Sequence, residues 1–144
     1  MTMRRKLILA LVVLAAAIAI FVRESRRIDT PSEDPLRTIN GAQVVYAQTH
    51  PGKGFASALA ELGPAPGDEL IDSVLASGRK SGHAFTLNAA QPEASGRITH
   101  YTLVARPETY GEGRPSFFTD ETGVEHITVA NRAAAVNDPL RRHD

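Results

Sequence analysis

His83-Ala-Phe-Thr-Leu87 and Ile98-Thr-His-Tyr-Thr-Leu-Val104, joined through Gln91-Pro-Glu-Ala-Ser-Gly96, decide how this chain folds. In both runs apolar and polar residues alternate with a period of two, the pattern of a strand with one buried face. The connection between them is rich in turn residues, so the pair reads as an antiparallel hairpin. If Phe85 stands opposite Tyr101 and Leu87 opposite Thr99, then Phe85, Tyr101 and Leu103 share a face, and Thr86, His100 and Thr102 take the other. A third strand is expected at Ser116-Phe-Phe-Thr119. Asp120-Glu-Thr-Gly123 turns the chain, and a shorter fourth strand returns over residues 124–129.

Upstream, the period changes from two to that of a helix. Asp34 is placed as an N-cap with Pro35 at the first helical position, and the helix should run over residues 35–48. Leu36, Ile39, Ala42 or Gln43, and Tyr46 make one stripe, which should lie on the face carrying Phe85, Tyr101 and Leu103. Pro51-Gly52 and Gly54 end it. Residues 55–62 read as a partly helical loop, Gly63-Pro-Ala-Pro-Gly67 as a breaker, and residues 69–76 as two helical turns stopped by Gly78. These segments should wrap the sheet edge. Residues 131–144 read as an Ala-rich and then charged tail.

The amino terminus has a different composition. Residues 7–22 form an unbroken apolar run of 16 residues with basic clusters on both sides. As a helix it spans about 24 Å, slightly short of a bilayer's hydrocarbon core of roughly 30 Å. Snorkelling by Lys6 and Arg23 makes a membrane anchor feasible, with Leu7, Leu11, Leu14, Ile18 and Val22 in the lipid. A signal peptide cleaved near Ala17 or Ala19 is the rival reading. The basic head before the apolar run favours export of the downstream domain. Four parts result: a basic head and anchor at 1–27, a linker at 28–34, a folded domain at 35–130 and the tail. The fold class expected is α+β: a transmembrane helix, then one helix packed on a small antiparallel sheet. The expected location is the inner membrane, single-pass, with the domain in the periplasm.

Charge and composition exclude several functions. Residues 1–27 carry a net +5 and residues 28–144 a net −5, so the formal zero is a cancellation. An acidic domain lacks the clustered Lys and Arg that neutralise phosphates, so nucleic acid is not an expected partner. With no cysteine there is no disulfide, thiolate metal site or thiol catalysis. Of the 43 apolar residues in 28–144, 16 are alanine, so the core is modest.

No motif carries convincing chemistry. Ser77-Gly-Arg-Lys-Ser-Gly82 lacks the glycine before the lysine that a phosphate loop needs, and reads as a basic turn. His50, His83, His100, His126 and His143 include no pair at metal-ligand helical spacing. Asp120, Glu121, Thr122 and Glu125 offer oxygen ligands for calcium, but a calcium loop shows more carboxylates at alternate positions, and the favoured reading is a hairpin turn in which Asp120 bonds the backbone and Gly123 takes positive φ. No nucleophile elbow is present. No catalytic residue, cofactor or metal is expected, and the chain does not read as an enzyme.

Leu36-Arg-Thr-Ile-Asn40-Gly-Ala followed by Tyr46-Ala resembles the helix after the membrane segment in bacterial type IV pilin-like proteins and pseudopilins. Ile71-Asp-Ser-Val-Leu-Ala-Ser-Gly78, Lys80-Ser-Gly-His-Ala-Phe85, Phe117-Phe-Thr-Asp-Glu-Thr-Gly-Val124 and Asp138-Pro-Leu140 continue the resemblance. His83 stands where tyrosine is usual. The resemblance implies a pilin-like fold and a role in assembly, with envelope proteins and other pilin-like subunits as partners. Hypotheses of another class are an exported module binding a small molecule or glycan, and an anchored hydrolase using carboxylates. The amino terminus departs from the family: Met3-Arg-Arg-Lys6 has no glycine and residues 7–22 have no glutamate. Prepilin peptidase should therefore leave the chain uncut. Co-expression followed by intact-mass measurement checks this, and a trimmed, N-methylated product is the contrary result.

Overall fold

Asp34 and Pro35 begin the main helix of the computed structural model, which describes residues 34–65, 69–111 and 113–143. Helix α1, Pro35–Thr49, is capped by Asp34, whose Oδ1 accepts a hydrogen bond from the Leu36 amide at 3.1 Å. Proline at the first helical position costs nothing, because that amide has no partner within the helix. The helix stops where the His50 amide closes on the Tyr46 carbonyl at 2.8 Å, just before Pro51. Its buried face is Leu36, Ile39, Ala42, Gln43 and Tyr46.

Five strands follow as an antiparallel meander in the order β1-β2-β3-β4-β5. They are β1 (Arg79–Lys80), β2 (His83–Ala89), β3 (Tyr101–Pro107), β4 (Ser116–Asp120) and β5 (His126–Thr128). Ser81 and Gly82 both take positive φ, 53° and 75°, and form the two-residue turn between β1 and β2. The stretch that superficially suggested a phosphate loop is this turn. Before the sheet, Leu59–Leu62 makes one 3-10 turn and α2 (Ser73–Ala76) a single helical turn capped by Asp72.

The expected architecture is corrected. The scaffold is a β-meander, and α1, with 15 residues, is the one helix of more than a single turn among the described residues. Among the described residues the fold is mostly β, and not the expected pilin-like helix-on-sheet arrangement. Local breakers explain the difference: Pro35 and Asp34 confine α1 at its start, Pro51 follows its end, and residues 55–76 yield only single turns. No helix among the described residues is long and apolar enough to cross a membrane. Leu7, Leu11, Leu14, Ile18 and Val22, on which the anchor reading rests, lie outside the described residues, as do residues 66–67 of the breaker.

The hairpin register is also corrected. Phe85 pairs with Ala105, Leu87 with Leu103 and Ala89 with Tyr101, a shift of four residues from the expected register. Ile98 is withdrawn from the strand by an earlier loop. Its amide donates to the Lys53 carbonyl and its carbonyl accepts from the Phe55 amide, both at 2.9 Å. The strand therefore starts at Tyr101. An even shift preserves the face, so Phe85, Tyr101 and Leu103 remain together against α1. Gly54, at φ 73°, makes this approach possible, because a Cβ there would overlap the Ile98 carbonyl oxygen.

The residues after β5 are part of the fold. The Ile127 amide donates to the Pro139 carbonyl and the Arg141 amide to the Glu125 carbonyl, so this segment runs along the edge of β5. Ser116 Oγ donates to the Arg132 carbonyl at 2.8 Å, and Ala134 is buried.

Ile39 is wholly buried, so Ile39→Ala should cost about 2–5 kcal/mol of stability in urea melts. Arg37 is mostly exposed and lies 3.7 Å from Glu125, so Arg37→Ala should change stability by no more than about 1 kcal/mol. Equal costs at the two positions would place the wrong face of α1 in the core. In the same melts Gly54→Ala should destabilise by more than about 1 kcal/mol through positive φ and overlap together.

Candidate functional site

Where β2 ends, β3 begins and β4 ends, the sheet leaves an open groove of about 320 Å³. Asn88, Thr102 and Asp120 pair in one row across the three strands and so share the face opposite the core. Ala89, Ala90, His100, Tyr101 and Glu121 complete the lining.

Glu121 organises this end. Its Oε1 lies 2.6 Å from His100 Nδ1, and its Oε2 accepts the Tyr101 amide at 3.2 Å. Burial pushes the Glu121 carboxyl up, but the His100 hydrogen bond and two backbone amides outweigh it and hold the group below the usual range. The hydrogen bond to Glu121, then that residue's charge, raises the His100 imidazole above its ordinary value, with Glu93 and Asp120 adding to the effect. The Tyr101 phenol is raised by burial and then by the charges of Glu121 and Asp120. It stays protonated and donates to Asn40 Oδ1 at 2.7 Å, while Asn40 Nδ2 donates to Thr119 Oγ1 at 3.1 Å. The groove is thus acidic, with one imidazole held by a carboxylate. Such a site can accept a cation or hydrogen-bond donors.

The carboxylates considered for calcium go to three different places. Asp120 Oδ1 accepts the Thr122 amide at 2.9 Å and forms the turn. Glu121 faces His100. Glu125 is buried at the other end of the turn, where its Oε2 accepts from Arg141 Nη1 at 2.9 Å and lies 3.2 Å from His143 Nε2. Arg141 Nη1 also donates to Asp34, and its guanidinium stacks 4.4 Å from the Phe117 ring. The ligand atoms of Asp34, Glu125 and His143 lie within 4.8 Å of one another, a spacing a metal could use. The cation that joins the two carboxylates is Arg141. This cluster ties the start of α1 to the end of the chain. Sequence reasoning missed it because its members are far apart in the chain, Asp34 and Arg141 by 107 positions.

The six residues expected in the core, Leu36, Ile39, Tyr46, Phe85, Tyr101 and Leu103, are all buried. The five histidines serve separate purposes. His50 stacks on Tyr46 at 4.2 Å, His83 Nε2 is 3.0 Å from the Pro115 carbonyl, and His126 Nδ1 is 2.7 Å from that of Asp138. His100 and His143 meet glutamates.

No family model matches the chain, and no curated protein or solved structure matches it.

The His100–Glu121 bond has a defined pH window. His100 is raised, so its contribution is full below its ordinary value of 6.5 and is lost as pH rises through the raised value. Glu121 is lowered, so its contribution is present above 4.5 and is lost as pH falls through the lowered value. An NMR titration should therefore find His100 half-protonated above pH 6.5, and Glu121→Gln should return it towards that value. Identical titrations of the two proteins would show that the pair does not form.

Proposed function

We propose that this chain is a structural, interaction-making protein of the bacterial envelope and not an enzyme. In this reading residues 7–22 hold it at the inner membrane, the folded domain lies in the periplasm, and it serves a type IV pilus or type II secretion system as an accessory component. The observation that carries the reading is the outward face of α1. Val44 and Val45 are 49% and 42% exposed there, one turn from Gly41. Nothing lies within 4 Å of where a Gly41 side chain would begin. An alanine at that position would favour the helix by about 1 kcal/mol, so the fold has no use for a glycine, whereas a closely approaching partner does. Outside the groove, several charged groups are engaged in holding the chain: Asp72 with Lys80, Asp138 with Arg132, Glu125 with Arg141. The resemblance of segments within 36–140 to pilin-like proteins supports the class of assembly, though not the architecture.

A second reading, an exported module for a small cationic ligand, is favoured by the acidic groove beside His100.

Carbonate extraction and protease shaving of spheroplasts should leave the chain membrane-bound and its domain accessible from outside. A soluble product starting near residue 18 or 20 would support a cleaved signal. A photo-crosslinking residue in place of Val44 should capture a pilus or secretion subunit in the native host. Val44→Glu should abolish that assembly while changing stability by less than about 0.5 kcal/mol. Normal assembly of the Val44→Glu protein would overturn the role given to this face.

A further inference from the structure

The meander leaves one strand edge bare. β1 pairs only with His83 and Ala84 of β2, and the last backbone bond on that side runs from the Phe85 amide to the Gly78 carbonyl at 2.7 Å. Ala90 donates to the His100 carbonyl, on the β3 side, and alternation then turns the amides and carbonyls of Leu87 and Ala89 away from β3. No strand of the described residues pairs with them there. The opposite edge of the sheet is covered, since residues 139–141 run along β5. The fold thus shields one edge and leaves Leu87–Ala89 as a template for another strand.

The groove begins beside this edge. Ala89 and Ala90 have no long side chains to block the way from the edge to Glu121, whose carboxylate lies at the Tyr101 amide, one strand over from Ala89. Asp120 and Glu93 add negative charge around His100. Pairing with a second copy of this chain would bring two such acidic ends together, whereas a basic segment gains from the same field.

We infer that the β2 edge at Leu87–Ala89 accepts an extended, basic peptide segment of another envelope protein as an added strand, with a Lys or Arg of that segment directed into the acidic groove at Asp120 and Glu121. Main-chain hydrogen bonds supply the binding and the groove selects the charge. This inference rests on the reading of the chain as an interaction protein, and names the partner's chemistry.

The test uses the full chain in detergent micelles and a synthetic peptide of alternating Val and Lys, with the same peptide carrying Glu for Lys as its counterpart. The basic peptide should shift the Leu87 and Ala89 amide resonances and slow their hydrogen exchange at least about tenfold, and the acidic peptide should do neither. Ala89→Pro removes one outward amide and leaves the bonds to β3 in place, a substitution tolerated at sheet edges. It should abolish binding. Asp120→Asn with Glu121→Gln, which removes both charges and leaves one accepting side-chain oxygen at each position, should weaken binding about tenfold. Equal binding of both peptides, unshifted edge amides, or the same shifts appearing on concentration alone with a dimeric mass would each overturn the proposal. In the native host, a photo-crosslinking residue at Asn88 should join a basic extended segment, identified by peptide sequencing. Adducts from Val44 with none from Asn88 would reject this site and leave the proposed function standing, and adducts from neither position would reject both.

Discussion

The buried side chain of Gln43 is the interaction on which the remaining structure depends. Its Oε1 accepts the Ala56 amide at 2.7 Å and its Nε2 donates to the Ala56 carbonyl at 3.1 Å. A wholly buried amide is costly unless both ends are bonded, and here one backbone residue satisfies both. The glutamine thereby behaves as a short piece of strand, fastening the loop after α1 to the helix itself. Once Ala56 is held, Lys53 and Phe55 are in place to bond Ile98 on both sides. That contact sets where β3 begins, and so the pairing of β2 with β3. The position of the groove and the bare stretch of β2 follow from it.

A second constraint closes the domain from the opposite side. Glu125 is buried with Arg141 and His143 beside it, and Arg141 reaches Asp34, the cap of α1. A buried carboxylate without such partners would be strongly destabilising, so the end of the chain must fold back for Glu125 to be tolerated. Bonding between Arg132 and Asp138 shapes the returning segment and holds the Asp138 carboxyl down at about 2. The carboxylates at the two ends of the 120–125 turn therefore do unlike work. Glu125 knits the chain together, while Asp120 and Glu121 give the sheet end its negative field.

These two ties leave distinct surfaces for partners. The outer face of α1 exposes Val44 and Val45 beside a glycine for which the fold has no need. The β2 edge offers backbone that no strand of the described residues pairs, beside acidic side chains. Both suit the assembly role proposed for the chain, and they differ in chemistry. The tyrosine at the groove is locked into the Asn40–Thr119 chain of hydrogen bonds, which suits a fixed surface better than a proton-transfer site.

By itself the sequence determined the local elements. Asp34-Pro35 and the Leu36–Ile39–Tyr46 stripe specify α1, because capping and helical period act over a few neighbouring residues. Alternation specifies which faces of β2 and β3 are buried, because that choice depends only on parity and survives a shift of four positions. Tertiary structure alone decided the register, the β-meander architecture in place of the expected helix-led fold, and the return of the last residues along β5. Each of these is set by bonds between distant segments: Ile98 with Lys53 and Phe55, Glu125 with Arg141, Ile127 with Pro139. Backbone groups look alike at every residue and carry no signature of their partner. The groove and the bare edge were illegible in the sequence for the same reason, since they exist only where those pairings begin and end.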